Sequence, residues 1–227
     1  MISQAVLAGA LWIFGVCAPS APPALLAGIA MQESGFDPDA INDDTMHKSY
    51  YPGSPNAAVD LSVALQAHGD QIDVGLLGID YTDWQRHGVP LVAAFDECTN
   101  AHVSAEILMG DYASATATGY RGETAWVAAL SLYNAGRITP RGLAYARSVL
   151  ANTQMLWPRI QLAMRRPTAS AASALIAQQA PAPTSTPAPS LTEAVRIARE
   201  RQTQASRAYA AIERAVQART KAQRGAP

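Results

Sequence analysis

The sequence predicts a mainly α-helical domain, followed by a linker and a C-terminal helical segment. Three observations carry this. Apolar residues recur at helical spacing through most of the first 165 residues, and no run alternates well enough to build a large sheet. Residues 166–190, RPTASAASALIAQQAPAPTSTPAPS, shift to Ala, Pro, Ser and Thr and read as a flexible linker. Residues 191–227 then return to helix-forming, mostly basic sequence. Hydrophobic residues make up 49% of the 227 and charged ones 15%, which leaves room for one domain of ordinary size plus extras.

The first sixteen residues, MISQAVLAGALWIFGV, are apolar. They read either as the first helix of the domain or as a signal segment. No Lys or Arg precedes the apolar run, which favours the helix, with Val6, Leu7, Leu11 and Phe14 inward. A second helix is predicted over 22–34. Pro22 and Pro23 suit its first turn, Ser20 is placed to cap it, and Gly35 is placed to end it in a left-handed conformation. Further helices are predicted near 57–68, 89–95, 99–117, 122–133 and 141–164. Residues 37–56 are polar and rich in turn formers. They read as a long loop with room for a short hairpin, and a loop of that length in a compact domain points to function.

The second helix carries the chemistry. In LLAGIAMQESGF, Leu25, Ile29 and Glu33 are spaced i, i+4, i+8. Glu33 therefore sits in the last turn, on the apolar face. Loss of hydration and the negative end of the helix dipole both disfavour its charged form. A glutamate held protonated near neutral pH is equipped to be a general acid. The plainer alternative is a helix-end glutamate that turns out to water.

Other classes are less well supported. The net charge is −1, so nothing marks the chain as a nucleic-acid binder. From Leu191 onward there are eight Lys/Arg and three Asp/Glu, a net of +5, so the remainder carries −6. Within the tail, Val195, Ala198, Gln202, Ala205, Tyr209, Ile212 and Val216 form a narrow seam suited to a partner helix. A solvated or partly disordered basic tail is the alternative. The four histidines and two cysteines show no metal-ligand spacing, and no phosphate-binding glycine loop or nucleophile elbow appears. No metal and no cofactor is expected.

Four stretches in order, CAPSAPPALLAGIAMQESGFDP (17–38), QIDVGLLGID (71–80), FDECTNAHVSAEIL (95–108) and ALSLYNAG (129–136), resemble the lytic transglycosylases with a goose-type lysozyme-like fold. The likeness sharpens to the VirB-type enzymes of type IV secretion and conjugation systems, and covers about residues 17–150. It implies a lysozyme-like, soluble lytic transglycosylase domain over 1–165, with a cleft for peptidoglycan glycan strands. The bond cut would be the β-1,4 link between N-acetylmuramic acid and N-acetylglucosamine. One glutamate would protonate the leaving oxygen and then take a proton from the muramic acid 6-hydroxyl, leaving a 1,6-anhydro end.

Carried over residue by residue, Glu33 matches the catalytic acid/base and Ser34 the small polar residue that positions the sugar or the acid. Gly75, Leu76 and Leu77 match the turn forming one cleft wall. Tyr133 and Asn134 match a cleft-lining pair, and Tyr145 the tyrosine that orients the glutamate. The family usually reads G-L-M-Q-[IV]-N in the second motif, where this sequence has Gly75-Leu76-Leu77-Gly78-Ile79-Asp80. Gly78 removes an amide that would contact sugar or glutamate, and Asp80 adds a charge near the cleft. A weakened, peptidoglycan-binding assembly factor is therefore one rival reading. A hydrolytic muramidase using Asp43, Asp44, Asp73 or Asp80 is another. The resemblance also implies a disulfide between Cys17 and Cys98, a periplasmic setting, and secretion-system components as partners. The charge split suits the basic tail to dock on that apparatus or on the acidic wall or membrane surface.

Overall fold

The computed structural model describes residues 2–164. The linker at 166–190 and the tail at 191–227, with the helical seam read there, lie outside the described residues. The described part is mainly helical, as the periodicity predicts.

Helix α1 spans Gln4–Cys17, with the Ser3 side chain capping Val6 N. Leu7, Leu11 and Phe14 face inward as expected. Val6 does not: it is 46% exposed, and Ala10 takes the inner position. Helix α2, Pro23–Glu33, buries Leu25, Leu26 and Ile29. Its N-cap is Pro22 and no side chain caps it, so Ser20 does not play that part. Gly35 follows the helix at φ +61, the left-handed stop the sequence predicts.

The long loop contains a hairpin, β1 (Ile41–Asp43) and β2 (Lys48–Tyr50). After α3 (Pro55–His68) come β3 (Ile72–Val74) and β4 (Ile79–Asp80). All pairings are antiparallel in the order β2-β1-β3-β4, with Asn42 opposite both Ser49 and Asp73. Strands this short show no alternation, which is why a four-stranded sheet was not legible. Helix α4, Tyr81–Arg86, is a further addition, started by the Asp80 side chain. The helix predicted at 89–95 is a 3-10 helix, Leu91–Phe95, set off by Pro90. Helices α5 (Glu97–Ala117), α6 (Gly122–Ala135) and α7 (Pro140–Met164) complete the domain.

The described residues form two cores. One gathers α1, α2, α5, α6 and α7 around Leu26, Ile29, Leu108 and Leu130. The other packs the sheet against Trp84, Leu91, Phe95 and Val103. Leu76 and Leu77 belong to the helical core, although they sit in the turn between two strands. That turn therefore pins the sheet to the helices. A Cys17–Cys98 disulfide, with 5.3 Å between Cα atoms, ties the end of α1 to the start of α5. Among the described residues, no helix is long and apolar enough to cross a membrane.

Candidate active site

The Gly75–Gly78 turn is held from three directions. Ser34 Oγ, at the end of α2, donates to Leu76 O at 2.7 Å. Asn100 Oδ1, on α5, accepts from Leu77 N at 2.9 Å. Tyr133 Oη, on α6, donates to Leu77 O at 2.8 Å and is 2.8 Å from Ser104 Oγ. Asn100 is 0% exposed, and its amide also donates to Val74 O and Ala94 O. Gly75 N reaches Ala40 O at 2.9 Å. Buried backbone groups in a turn must find partners, and here side chains from three helices supply them.

What this clamp positions is Gly78 against Glu33. A Cβ added at Gly78 would lie 2.6 Å from Glu33 Oε2 and 2.7 Å from Cδ and Cγ, and Gly78 has φ +58. Gly78, where the family usually has Gln, is therefore packed directly against the glutamate. The space beside this residue is filled by the glutamate itself. The backbone of Glu33 is also held, because Asn42 Nδ2 donates to its carbonyl at 2.9 Å while Asn42 Oδ1 accepts from Ser49 Oγ at 2.7 Å.

Glu33 is half-buried at the floor of a cleft of about 620 Å³. The walls come from the β1–β2 hairpin (Asn42, Asp44), from β3 (Asp73), from the end of α6 (Asn134), and from α7. On α7, Arg141, Tyr145 and Ser148 share one face at i, i+4 and i+7. Burial pushes the Glu33 carboxyl up from 4.5 to about 7. Hydrogen bonding from Tyr145 lowers it, and the charge of Asp44 raises it. The Tyr145 hydroxyl is buried and faces the carboxyl, yet the contact falls short of full hydrogen-bond geometry. Asp73 is also raised well above the usual carboxylate range, by burial first and then by Glu33, Asp44 and Asp80, against a lowering by Arg141.

The structure sorts the predicted site residues. Glu33, Asn134 and Tyr145 line the cleft. Ser34 is 3% exposed and bonded into the turn, so it holds the acid's helix end and does not face a sugar. Leu76 and Leu77 point into the core. Tyr133 is a clamp beneath the turn, and the lining of the cleft does not include it. Asp80 accepts from Thr82 N and Asp83 N at the start of α4, so its charge is spread over a helix N-terminus. Of the four aspartates that the sequence left level, Asp73 and Asp44 raise or couple to Glu33. Sequence reasoning missed Asn42, Asn100, Ser104 and Arg141. A signal existed for two of them: Asn100 and Ser104 sit at i and i+4 with Leu108, on a stripe that is otherwise apolar.

Residues 10–147 match the Transglycosylase SLT domain family. The chain is similar to Protein virB1 of Agrobacterium fabrum, at 33% identity over 144 residues covering 63% of this chain and 58% of that protein. It is similar to the Type IV secretion system protein virB1 of Brucella abortus biovar 1, at 30% identity over 169 residues covering 71% of each. It is similar also to Protein virB1 of Rhizobium radiobacter, at 31% identity over 146 residues covering 63% of this chain and 60% of that one. The alignment thus spans well under two thirds of the length of the Agrobacterium relative. No solved structure gives a significant match. The family match takes in α2, the clamped turn, α6 and the start of α7, and the chain belongs to the Transglycosylase SLT domain family.

Proposed function

We propose that this chain is a peptidoglycan lytic transglycosylase acting in the periplasm, opening the wall for a type IV secretion apparatus. The observation that carries the reading is Glu33: one carboxyl at the floor of a polar cleft, raised to about 7, with Tyr145 beside it. In the reaction, Glu33 gives its proton to the glycosidic oxygen as the C1–O bond of N-acetylmuramic acid breaks. The 6-hydroxyl of the same sugar then bonds to C1, and its proton returns to the Glu33 carboxylate. No water is consumed, and the acid is regenerated. Tyr145 orients the carboxyl, while Ser34, Asn100 and Tyr133 keep the wall rigid behind it. Membership of the transglycosylase family supports the activity, and the relatives named for type IV secretion support the setting. The disulfide is in keeping with an oxidising compartment.

A hydrolytic muramidase is the second reading, and one observation favours it: Asp73 shares the cleft and couples to Glu33. A two-carboxylate route requires the second group to be ionised. The raised state of Asp73 counts against that, so the one-acid route ranks first. Mass spectrometry of purified peptidoglycan after digestion separates the two. Anhydromuropeptides from the native chain and none from Glu33→Gln support the transglycosylase. Reducing ends point to hydrolysis, and intact peptidoglycan from both proteins points to a binding-only factor.

A further inference from the structure

A neutral glycan strand needs no cation, yet the catalytic cleft contains two with unused donors. Arg141 lies in the first turn of α7, where the helix dipole adds positive potential. Among the described residues its one ion pair is with Asp44, a single Nη2–Oδ1 contact of 3.4 Å between two exposed side chains. A guanidinium carries five N–H donors, so most of its capacity is unengaged. Lys48 lines the same cleft from β2. Its ammonium rests 4.4 Å above the Tyr50 ring and has no acidic partner among the described residues. These two are the cationic side chains of the cleft apart from His47, and they stand on facing elements, the hairpin and α7.

We infer that Arg141 and Lys48 form a subsite for free carboxylates of the peptide stems that peptidoglycan carries on N-acetylmuramic acid. This rests on the reading of the cleft as a glycan-strand site, and deepens it from the glycan alone to peptide-bearing glycan. An exposed single-contact ion pair contributes little, so Asp44 is easily exchanged for an incoming carboxylate. A ligand carboxylate can engage Arg141 through two parallel N–H···O bonds, which is stronger and better directed than the present contact. Lys48 adds a second, more mobile point charge. The selectivity that follows is for strands with ionised stems over strands that have been stripped.

The test uses the full chain carrying Glu33→Gln, so that binding is read without turnover. Two probes are prepared from one peptidoglycan: soluble strands with ionised stem peptides, and the same strands stripped of stem charge by converting the stem carboxylates to amides. Isothermal titration gives the ratio of affinities, ionised over stripped. The ratio is expected to favour ionised strands, to fall roughly tenfold or more with Arg141→Ala, and to fall less with Lys48→Ala and Arg141→Lys. Both residues are exposed, and unchanged thermal melting of each variant establishes that folding is intact. A ratio that Arg141→Ala leaves unchanged overturns the inference, as does a native ratio near one. Failure of both probes to bind overturns it together with the glycan-strand reading. Binding of stripped strands without stem selectivity leaves the glycan-strand reading standing and removes the subsite alone.

Discussion

Replacing Gly78 by alanine adds one methyl group at the point where the β3–β4 turn meets Glu33. The new Cβ would stand 2.7 Å from Glu33 Cδ and Cγ and 2.6 Å from Oε2. Carbon atoms settle at about 3.5–4.0 Å, so something must retreat by roughly 1 Å. The turn cannot be what yields, because Ser34, Asn100 and Tyr133 hold the peptides on its inner side. The glutamate side chain yields. The stability loss is then mainly that of a left-handed alanine, about 1–2 kcal/mol. The activity loss is larger, since displacing a catalytic group by about 1 Å costs on the order of a hundredfold. Gly78→Gln begins with the same Cβ and is expected to fail likewise, although it restores the family's usual residue. The assay is release of soluble muropeptides from purified peptidoglycan, paired with urea unfolding. A Gly78→Ala or Gly78→Gln protein with native or higher activity would refute the steric reasoning.

Further predictions concern the proton and the scaffold. Tyr145→Phe removes the hydroxyl whose contact lowers the Glu33 pKa, so the alkaline limb of the activity profile, expected near pH 7 for the native chain, moves upward while the rate drops about tenfold. Glu33→Gln changes stability with a definite sign. The folded pKa of about 7 exceeds the ordinary 4.5, so the native state holds a proton that the unfolded chain has released. Native stability therefore falls as pH rises from 4.5 to about 7. Discounted for partial exposure, the amide variant gains about 1–2 kcal/mol over the native chain at pH 8 and almost nothing at pH 4, measured by urea unfolding. Asn100→Ala strands Leu77 N–H and two carbonyls in the core, a loss of about 2–4 kcal/mol in the same assay. Replacing Cys17 and Cys98 by serine opens an 81-residue loop and costs about 4–5 kcal/mol in the chain-entropy account.

Much of the scaffold was legible because its signals are local. The stop at Gly35 and the apolar stripe of α2 follow from residues within one or two turns of each other. Glu33 was found in that way, from its spacing to Leu25 and Ile29. The sheet was hidden, because strands of two or three residues have no periodicity to read. Val6, placed inward by its sequence position, is 46% exposed, and the smaller Ala10 fills the packed face. The deeper misreadings concern tertiary pairing. Nothing near Tyr133 in sequence says that its hydroxyl will hold Leu77 O, 56 residues away. Nor does anything near Arg141 point to Asp44, 97 residues away. A polar residue on an apolar stripe, such as Asn100, signals only that it will find a buried partner.

The clamp also bears on the proposed one-acid route. Leu76 O, Leu77 N and Leu77 O are satisfied by Ser34, Asn100 and Tyr133, all from the side away from the cleft. The groups that act on the Glu33 carboxyl besides burial are Tyr145, which is neutral, and Asp44, which carries the same charge as the anion. Burial pushes the Tyr145 hydroxyl up, so it stays a donor throughout the working pH range. An amide at position 78 would give the carboxylate a further hydrogen bond, and a bond to the charged form lowers a pKa. Glycine there withholds it. In the proposed mechanism, withholding that bond helps to keep Glu33 protonated until the leaving oxygen takes the proton.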